Sequence, residues 1–320
     1  MTLPSQLSNQ YIKQKYRLVG QHSAVKTCHW LRRSLNTAGK EHCYKQKFYG
    51  IPCHRCIQMT PTLGHCTQNC QFCWRITPET LGINWEQTKP IQNPEDPDTI
   101  VEASVKAHQK NIMGFGGNPK VPKKFYQEAQ EPKHAAISLE GEPTLYPKLG
   151  ELVQSYYNHG FKTVFIVTNG LQPKTLANLT TEPSQLYISV CAPDRETYLK
   201  TCRPLIPDAW EKLQETLETL NSFKCPTVLR HTLMPKLNMH NPQGYIKQAE
   251  KSNATYLEPK AAMSVGNARK RFAYQDMAWH SEIREFAEAL AEASSYNIID
   301  EHEPSQIVLL SQRLKPLKLY

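Results

Sequence analysis

The densest chemistry in the chain is Cys66-Thr-Gln-Asn-Cys70-Gln-Phe-Cys73, three thiols at C-x3-C-x2-C spacing. Three thiolates in one short loop can hold three corners of a cubane [4Fe-4S] cluster and leave the fourth iron without a protein ligand. An open iron can chelate the amino and carboxylate groups of S-adenosylmethionine. One electron then breaks a sulfonium C–S bond and releases a 5′-deoxyadenosyl radical, while the protein supplies geometry and electrostatics. Phe72 suits an apolar wall beside the adenine. The cysteines permit a second reading. Cys53-x2-Cys56 and Cys70-x2-Cys73 form two CxxC knuckles with thirteen residues between them, near a zinc-ribbon spacing, and leave Cys28, Cys43 and Cys66 without a role.

Other residue types with chemical use sit in short polar turns. Glu140-Gly141-Glu142-Pro143 offers carboxylates to an ammonium and a glycine for close backbone approach, or caps the following helix. Thr168-Asn169-Gly170 could touch a methionine carboxylate or a ribose, or be a plain strand-to-helix turn. Ser189 and Arg230 stand near later strand ends. Lys45 and Lys47 lie beside Cys43; an amine there with a lowered pKa could form an imine with a ketone, or belong to a basic face. Cys191, Cys202 and Cys225 read as thiols without chemistry.

These residues need a frame that brings distant loops together. From residue 134 onward short β-rich runs alternate with helical stretches. Strands are expected at 134–139, 162–167, 185–190, 226–234 and 254–259, with helices between them. That alternation predicts an α/β fold with parallel strands, a full or partial (β/α) barrel, an open doubly wound sheet being the other possibility. In a barrel the loops after the strands converge at the carboxyl face, where all the polar turns above would meet. The division expected is a basic, cysteine-bearing extension over residues 1–60, laid over the barrel mouth, a core over 61–275, and a C-terminal helix and β-like tail over 276–320.

Lys and Arg exceed Asp and Glu by 38 − 29 = 9, which favours a polyanionic partner through counterion release. The basic clusters 26–47, 120–124 and 269–271 are candidate phosphate contacts; Trp30, Tyr44, Phe48, Tyr49 and Trp74 near them are candidates to stack on unpaired bases, core packing being the alternative for each. Seven of the ten cysteines fall between Cys28 and Cys73. The polar start MTLPSQLSNQYIKQKYR has no apolar secretory region and no apolar run is long enough for a membrane span, so a cytoplasmic enzyme with metal-binding rather than disulfide-bonded cysteines is expected.

The stretch HRCIQMTPTLGHCTQNCQFCWR, then ISLEGEPTLYP, CYKQKFYG (43–50), GFGGNPKVPKKF (114–125) and EPKAAMSVGNARKR (258–271) resemble the radical S-adenosylmethionine (SAM) tRNA 4-demethylwyosine synthases of wybutosine biosynthesis. The likeness runs from about residue 20 to the end, in the short archaeal-type form without a flavodoxin domain. The resemblance implies a radical SAM partial (β/α) barrel and a lyase. It would condense N1-methylguanosine-37 of tRNA-Phe, in the anticodon loop, with pyruvate, as a monomer served by an external one-electron donor. It implies one [4Fe-4S] cluster on Cys66, Cys70 and Cys73 and a second on Cys28, Cys43 and Cys56, with Cys53 a departure outside the ligand set. The turn Glu140-Gly141-Glu142 resembles the glycine-glutamate motif by which radical SAM enzymes hold the amino group of SAM. Thr168, Asn169, Ser189 and Arg230 are the further candidates for the SAM site by position, and Lys45, ahead of Lys47, is the candidate for an imine with pyruvate. Another radical SAM reaction on RNA or protein and a non-catalytic zinc-ribbon RNA binder are the competing functions.

Overall fold

The computed structural model describes residues 3–320. Its strands are β1 (Arg17–Val19), β2 (Ser23–Val25), β3 (Cys56–Thr60), β4 (His134–Ile137), β5 (Thr163–Thr168), β6 (Gln185–Ser189), β7 (Thr227–Leu233), β8 (Tyr256–Ala261), β9 (Asn297–His302) and β10 (Ile307–Ser311). They form one sheet in the order β1-β2-β3-β4-β5-β6-β7-β8-β10-β9. β3 to β8 are parallel and in chain order. The β1-β2 hairpin adds antiparallel to β3, and the β9-β10 pair adds antiparallel to β8. This is a partial (β/α) barrel with antiparallel additions on both sides.

Alternation along the parallel strands separates two packed faces, as the period of two requires. Val164, Ile166, Leu186, Ile188, Leu229, Leu233 and Leu257 point outward and pack with Leu152, Val153, Leu213, Leu217 and Ile246 of the crossover helices. Phe165, Tyr187, Val228 and Tyr256 point inward with Ile307 and Leu309. They meet Phe48 and Tyr49 of the helix Tyr44–Tyr49, and Ile51 just after it. The N-terminal segment therefore plugs the amino-terminal half of the barrel instead of lying over its mouth. Its aromatic side chains are large enough to fill what the inward residues leave open. Leu319 closes the same cluster, its N–H donating to the Tyr49 carbonyl at 2.9 Å.

The expected strands from 134 to 259 all form, within a few residues at their ends. A boundary at 60/61 falls just after β3, so the first parallel strand lies inside the segment assigned to the extension. The helix His280–Glu292 and β9–β10, in the 276–320 segment, continue the same fold. Among the described residues no helix is long and apolar enough to cross a membrane.

Candidate active site

The Cys66–Cys73 loop follows β3 at the carboxyl face, and backbone bonds hold it on several sides. The N–H of Cys66 donates to Gln87 O at 2.7 Å, that of Gln71 to Thr201 O at 2.9 Å, and that of Cys73 to Cys70 O at 3.0 Å. Arg271 donates to the carbonyls of Gln71 and Cys73. Arg75, buried, donates to the carbonyl of Gln68; burial works against its charged form, and the neighbouring Cys66, Cys73 and Glu140 favour it. Burial pushes the Cys66 thiol up to about 12 and raises Cys73, with Arg75 opposing both shifts. Iron binding must supply the free energy to deprotonate them. Three sulfurs from one braced loop, backed by a guanidinium, fit a three-thiolate cubane.

Cys66 and Cys73 border an open cavity of about 650 Å³ that Glu140, Gly141, Glu142, Thr168, Asn169 and Ser189 also line. Gly141 has φ +74°, and a Cβ there would lie 2.2 Å from Thr62 O and 2.7 Å from His65 O, so glycine lets this turn close onto the cluster loop. Glu140 accepts hydrogen bonds from Tyr11 and, at 3.2 Å, Tyr16. Glu142 accepts from Thr144 N (3.0 Å), Thr144 Oγ1 (2.6 Å), Thr168 Oγ1 (2.5 Å) and Asn169 N (2.8 Å). Its carboxylate thus ties the turn after β4 to the turn after β5. Asn169 Nδ2 donates to Thr67 Oγ1 at 2.9 Å and lies 3.9 Å from Cys66 Sγ.

Arg230 does not line this cavity. It pairs in register with Ser189 on one side and Glu258 on the other. Its Nε donates to Glu258 Oε2 at 3.0 Å, and its guanidinium reaches Tyr44 Oη at 2.9 Å. Glu258, fully buried, also accepts from Tyr49 at 2.7 Å and Tyr187 at 3.4 Å. A buried carboxylate needs that many donors. Within this network the Lys45 amine lies 3.6 Å from the Phe165 ring centre and 4.2 Å from that of Tyr187, with no hydrogen-bond partner. Burial lowers it to about 8. Lys47 is on the surface instead, 2.9 Å from Asp300, because it sits on the opposite side of the short helix. Val167 and Ser189, on the cavity wall, each follow a ring that Lys45 touches by two residues, about 7 Å along the strand.

The upstream cysteines gather at the other end of β3. Cys28 and Cys43 cap the helices His29–Asn36 and Tyr44–Tyr49, and Cys56 opens β3. Helix N-termini favour thiolates, and the backbone N–H groups of Trp30 and Leu31 lower the Cys28 thiol against the burial that raises it. Cys53 sits among them, interacting with Cys43 and donating to Trp30 O at 3.7 Å. β3 separates Cys53 and Cys56 from Cys70 and Cys73 by about 13 Å of rise, so one tetrahedral zinc with 2.3 Å bonds cannot join both knuckles. Among the described residues no three Cys, His, Asp or Glu side chains converge on a single-ion site.

Sequence reasoning missed Tyr11, Tyr16 and Arg75, took Arg271 for a phosphate contact, and did not foresee the pairing of Glu258 with Arg230. Glu258 and Lys260 carried a usable signal: two charged residues two apart in a strand share a face. Phe48 and Tyr49 are fully buried and pack the barrel, so neither can stack on a base. Arg269, Lys270 and Arg271 donate to carbonyls of the chain, Arg271 to the cluster loop itself.

Residues 60–249 match the radical SAM superfamily and residues 251–312 the family described as wyosine base formation. The chain is 50% identical over 312 residues to the S-adenosyl-L-methionine-dependent tRNA 4-demethylwyosine synthase of Pyrococcus abyssi, covering 96% of this chain and 89% of that protein. It is 40% identical to the protein of that name from Methanocaldococcus jannaschii, covering 96% of both. Among solved structures it superimposes with TM-score 0.87 and 37% identity on TYW1 with a lysine-pyruvate adduct bound, over 98% of this chain and 97% of that one. An archaeal TYW1 crystal structure gives TM-score 0.80 and 35% identity over 99% of each chain. The chain belongs to the tRNA 4-demethylwyosine synthase family of radical SAM proteins.

Proposed function

We propose that this protein condenses N1-methylguanosine-37 of tRNA-Phe with pyruvate to give 4-demethylwyosine. The observation that supports it best is the unpartnered Lys45 amine facing the interior about one strand layer from the cavity that Cys66 and Cys73 border. A related structure carries a lysine-pyruvate adduct. Cys66, Cys70 and Cys73 would hold a [4Fe-4S] cluster that binds SAM, and that pair would supply the radical chemistry needed at the N1-methyl group. Asn169 and Ser189 offer polar atoms to SAM, while Glu142 fixes the two turns that carry its contacts. Glu140 is held facing the cavity by Tyr11 and Tyr16. Lys45 forms an imine with the pyruvate ketone, which places that carbon next to the methyl group; Phe165 and Tyr187 exclude water from the amine.

Cys28, Cys43 and Cys56 would hold a second [4Fe-4S] cluster, which would supply an open iron for the pyruvate carboxylate; Cys43 and Cys56 lie near enough to Lys45 to act on its charge, and Lys47 is a surface residue. C2 and C3 of pyruvate stay in the base; the C1–C2 bond breaks and C1 leaves as carbon dioxide with release of one electron, a lyase-type outcome. An external donor supplies the electron, and the protein works as a cytoplasmic monomer. The test is anaerobic incubation of reduced, reconstituted protein with SAM, pyruvate and tRNA-Phe carrying N1-methylguanosine-37, followed by nucleoside mass spectrometry. The tricyclic base is expected; intact methylguanosine beside an active control enzyme overturns the proposal.

A further inference from the structure

An open cleft of about 1300 Å³ lies between the segment 29–47 and the edge formed by β8, β9 and the turn 303–305 after it. Small-molecule pockets span roughly 300–1,000 Å³, so this cleft suits a somewhat larger occupant. Tyr44 and Lys260 line it. Tyr44 also receives the Arg230 hydrogen bond, and Lys260 follows Glu258 on the same face of β8, so the cleft adjoins the interior that holds Lys45.

Its wall is a run of aromatic rings. Centroids are 5.3 Å apart for His29 and Trp30, 5.6 Å for Trp30 and His302, and 5.8 Å for His302 and His42. The charges there nearly balance, Arg33, Lys40, Lys47 and Lys260 standing against Glu41, Glu301 and Glu303; Arg33 is paired with Glu41, and Lys47 lies 2.9 Å from Asp300. Burial, with His42 nearby, lowers His302 to about 4, so that ring is neutral at pH 7. A cleft with cancelled charge and a ring-lined wall does little for phosphates. It favours flat π faces, and every nucleobase has one; unpaired loop bases are bound in this way.

We infer that this cleft receives an unpaired base of the RNA loop, stacked on Trp30, and is the side from which the target nucleotide reaches the interior. The inference rests on the tRNA reading above. Stacking and phosphate contacts separate experimentally, because only the latter release counterions and set the salt slope.

The test is the Kd of fluorescein-labelled tRNA-Phe transcript for reconstituted wild type, Trp30→Ala and Trp30→Phe across a KCl series. Iron content and thermal midpoint serve as folding controls. Trp30→Ala is expected to weaken binding about tenfold or more, as loss of one base–aromatic stack does, with an unchanged slope of log Kd against log[KCl]. Trp30→Phe should restore most of the affinity. An unchanged Kd, a loss that lowers the slope, or no recovery with phenylalanine overturns the inference. If wild type modifies tRNA while Trp30→Ala binds it equally well, the inference alone fails. If wild type makes no modified base, the functional reading fails and the Kd series still decides the cleft.

Discussion

Glu258→Gln removes the carboxylate that pairs with the buried Arg230 guanidinium. Glu258 is fully buried and the Arg230 side chain is only 14% exposed, so water can replace little of the lost interaction. Stranding one member of such a pair costs about 3–5 kcal/mol. An unfolding entropy of about 2.1 cal/mol/K per residue gives, for 320 residues, about 0.67 kcal/mol/K. The expected drop in thermal midpoint is therefore about 4–8 °C. Removing both charges in Glu258→Gln/Arg230→Met should recover more than half of that loss, since an apolar replacement of similar volume is often neutral. Scanning calorimetry of the anaerobic protein measures all four members of the cycle. A single variant within about 1 °C of wild type, or a double variant that loses the sum of the singles, refutes the buried-pair reasoning.

Reductive trapping with pyruvate and borohydride should add mass to wild type, map by peptide sequencing to Lys45, and vanish in Lys45→Arg; mapping to Lys47 or Lys260 would contradict the placement. Lys47→Ala should shift stability by less than about 1 kcal/mol in a thermal melt, because its pair with Asp300 is on the surface. Changing Cys66, Cys70 and Cys73 together to Ala should lower iron from about eight to about four per chain and abolish 5′-deoxyadenosine; loss of all iron would show that the upstream set holds none. Burial lowers His108 to about 4, below the unfolded value near 6.5, and its Nε2 lies 3.0 Å from Ala129 O. The unfolded chain then binds more protons between pH 6.5 and 4, so this contribution to stability is lost as pH falls through that window. His108→Gln should flatten the decline in thermal midpoint over that range.

The parallel strands from β4 to β8 were legible because they are continuous apolar runs closed by polar turns, the pattern of a sheet buried on both faces. β3 was not. Cys-Ile-Gln-Met-Thr is short, alternates only weakly and sits among cysteines that drew attention to metal binding. The Cys66–Cys73 loop stood out by its spacing, with a zinc-ribbon reading beside it, and the polar turns after β4 and β5 stood out by their composition. What surrounds them did not: Tyr11 reaches Glu140 across 129 residues of chain, and no local pattern encodes such a contact. Arg230 looked like a ligand-binding residue because its place near the end of β7 was visible, whereas the register that sets Glu258 of the neighbouring strand opposite it was not. The helix Tyr44–Tyr49 looked like an extension because its role, filling the barrel, exists only once the strands have curved around it.

The decisive event in the proposed reaction is where the hydrogen goes. With tRNA-Phe bearing a trideuterated N1-methyl group at guanosine-37, reduced wild type supplied with SAM and pyruvate should release 5′-deoxyadenosine carrying deuterium, in step with the tricyclic base. Tricyclic base formed alongside deuterium-free 5′-deoxyadenosine would contradict it.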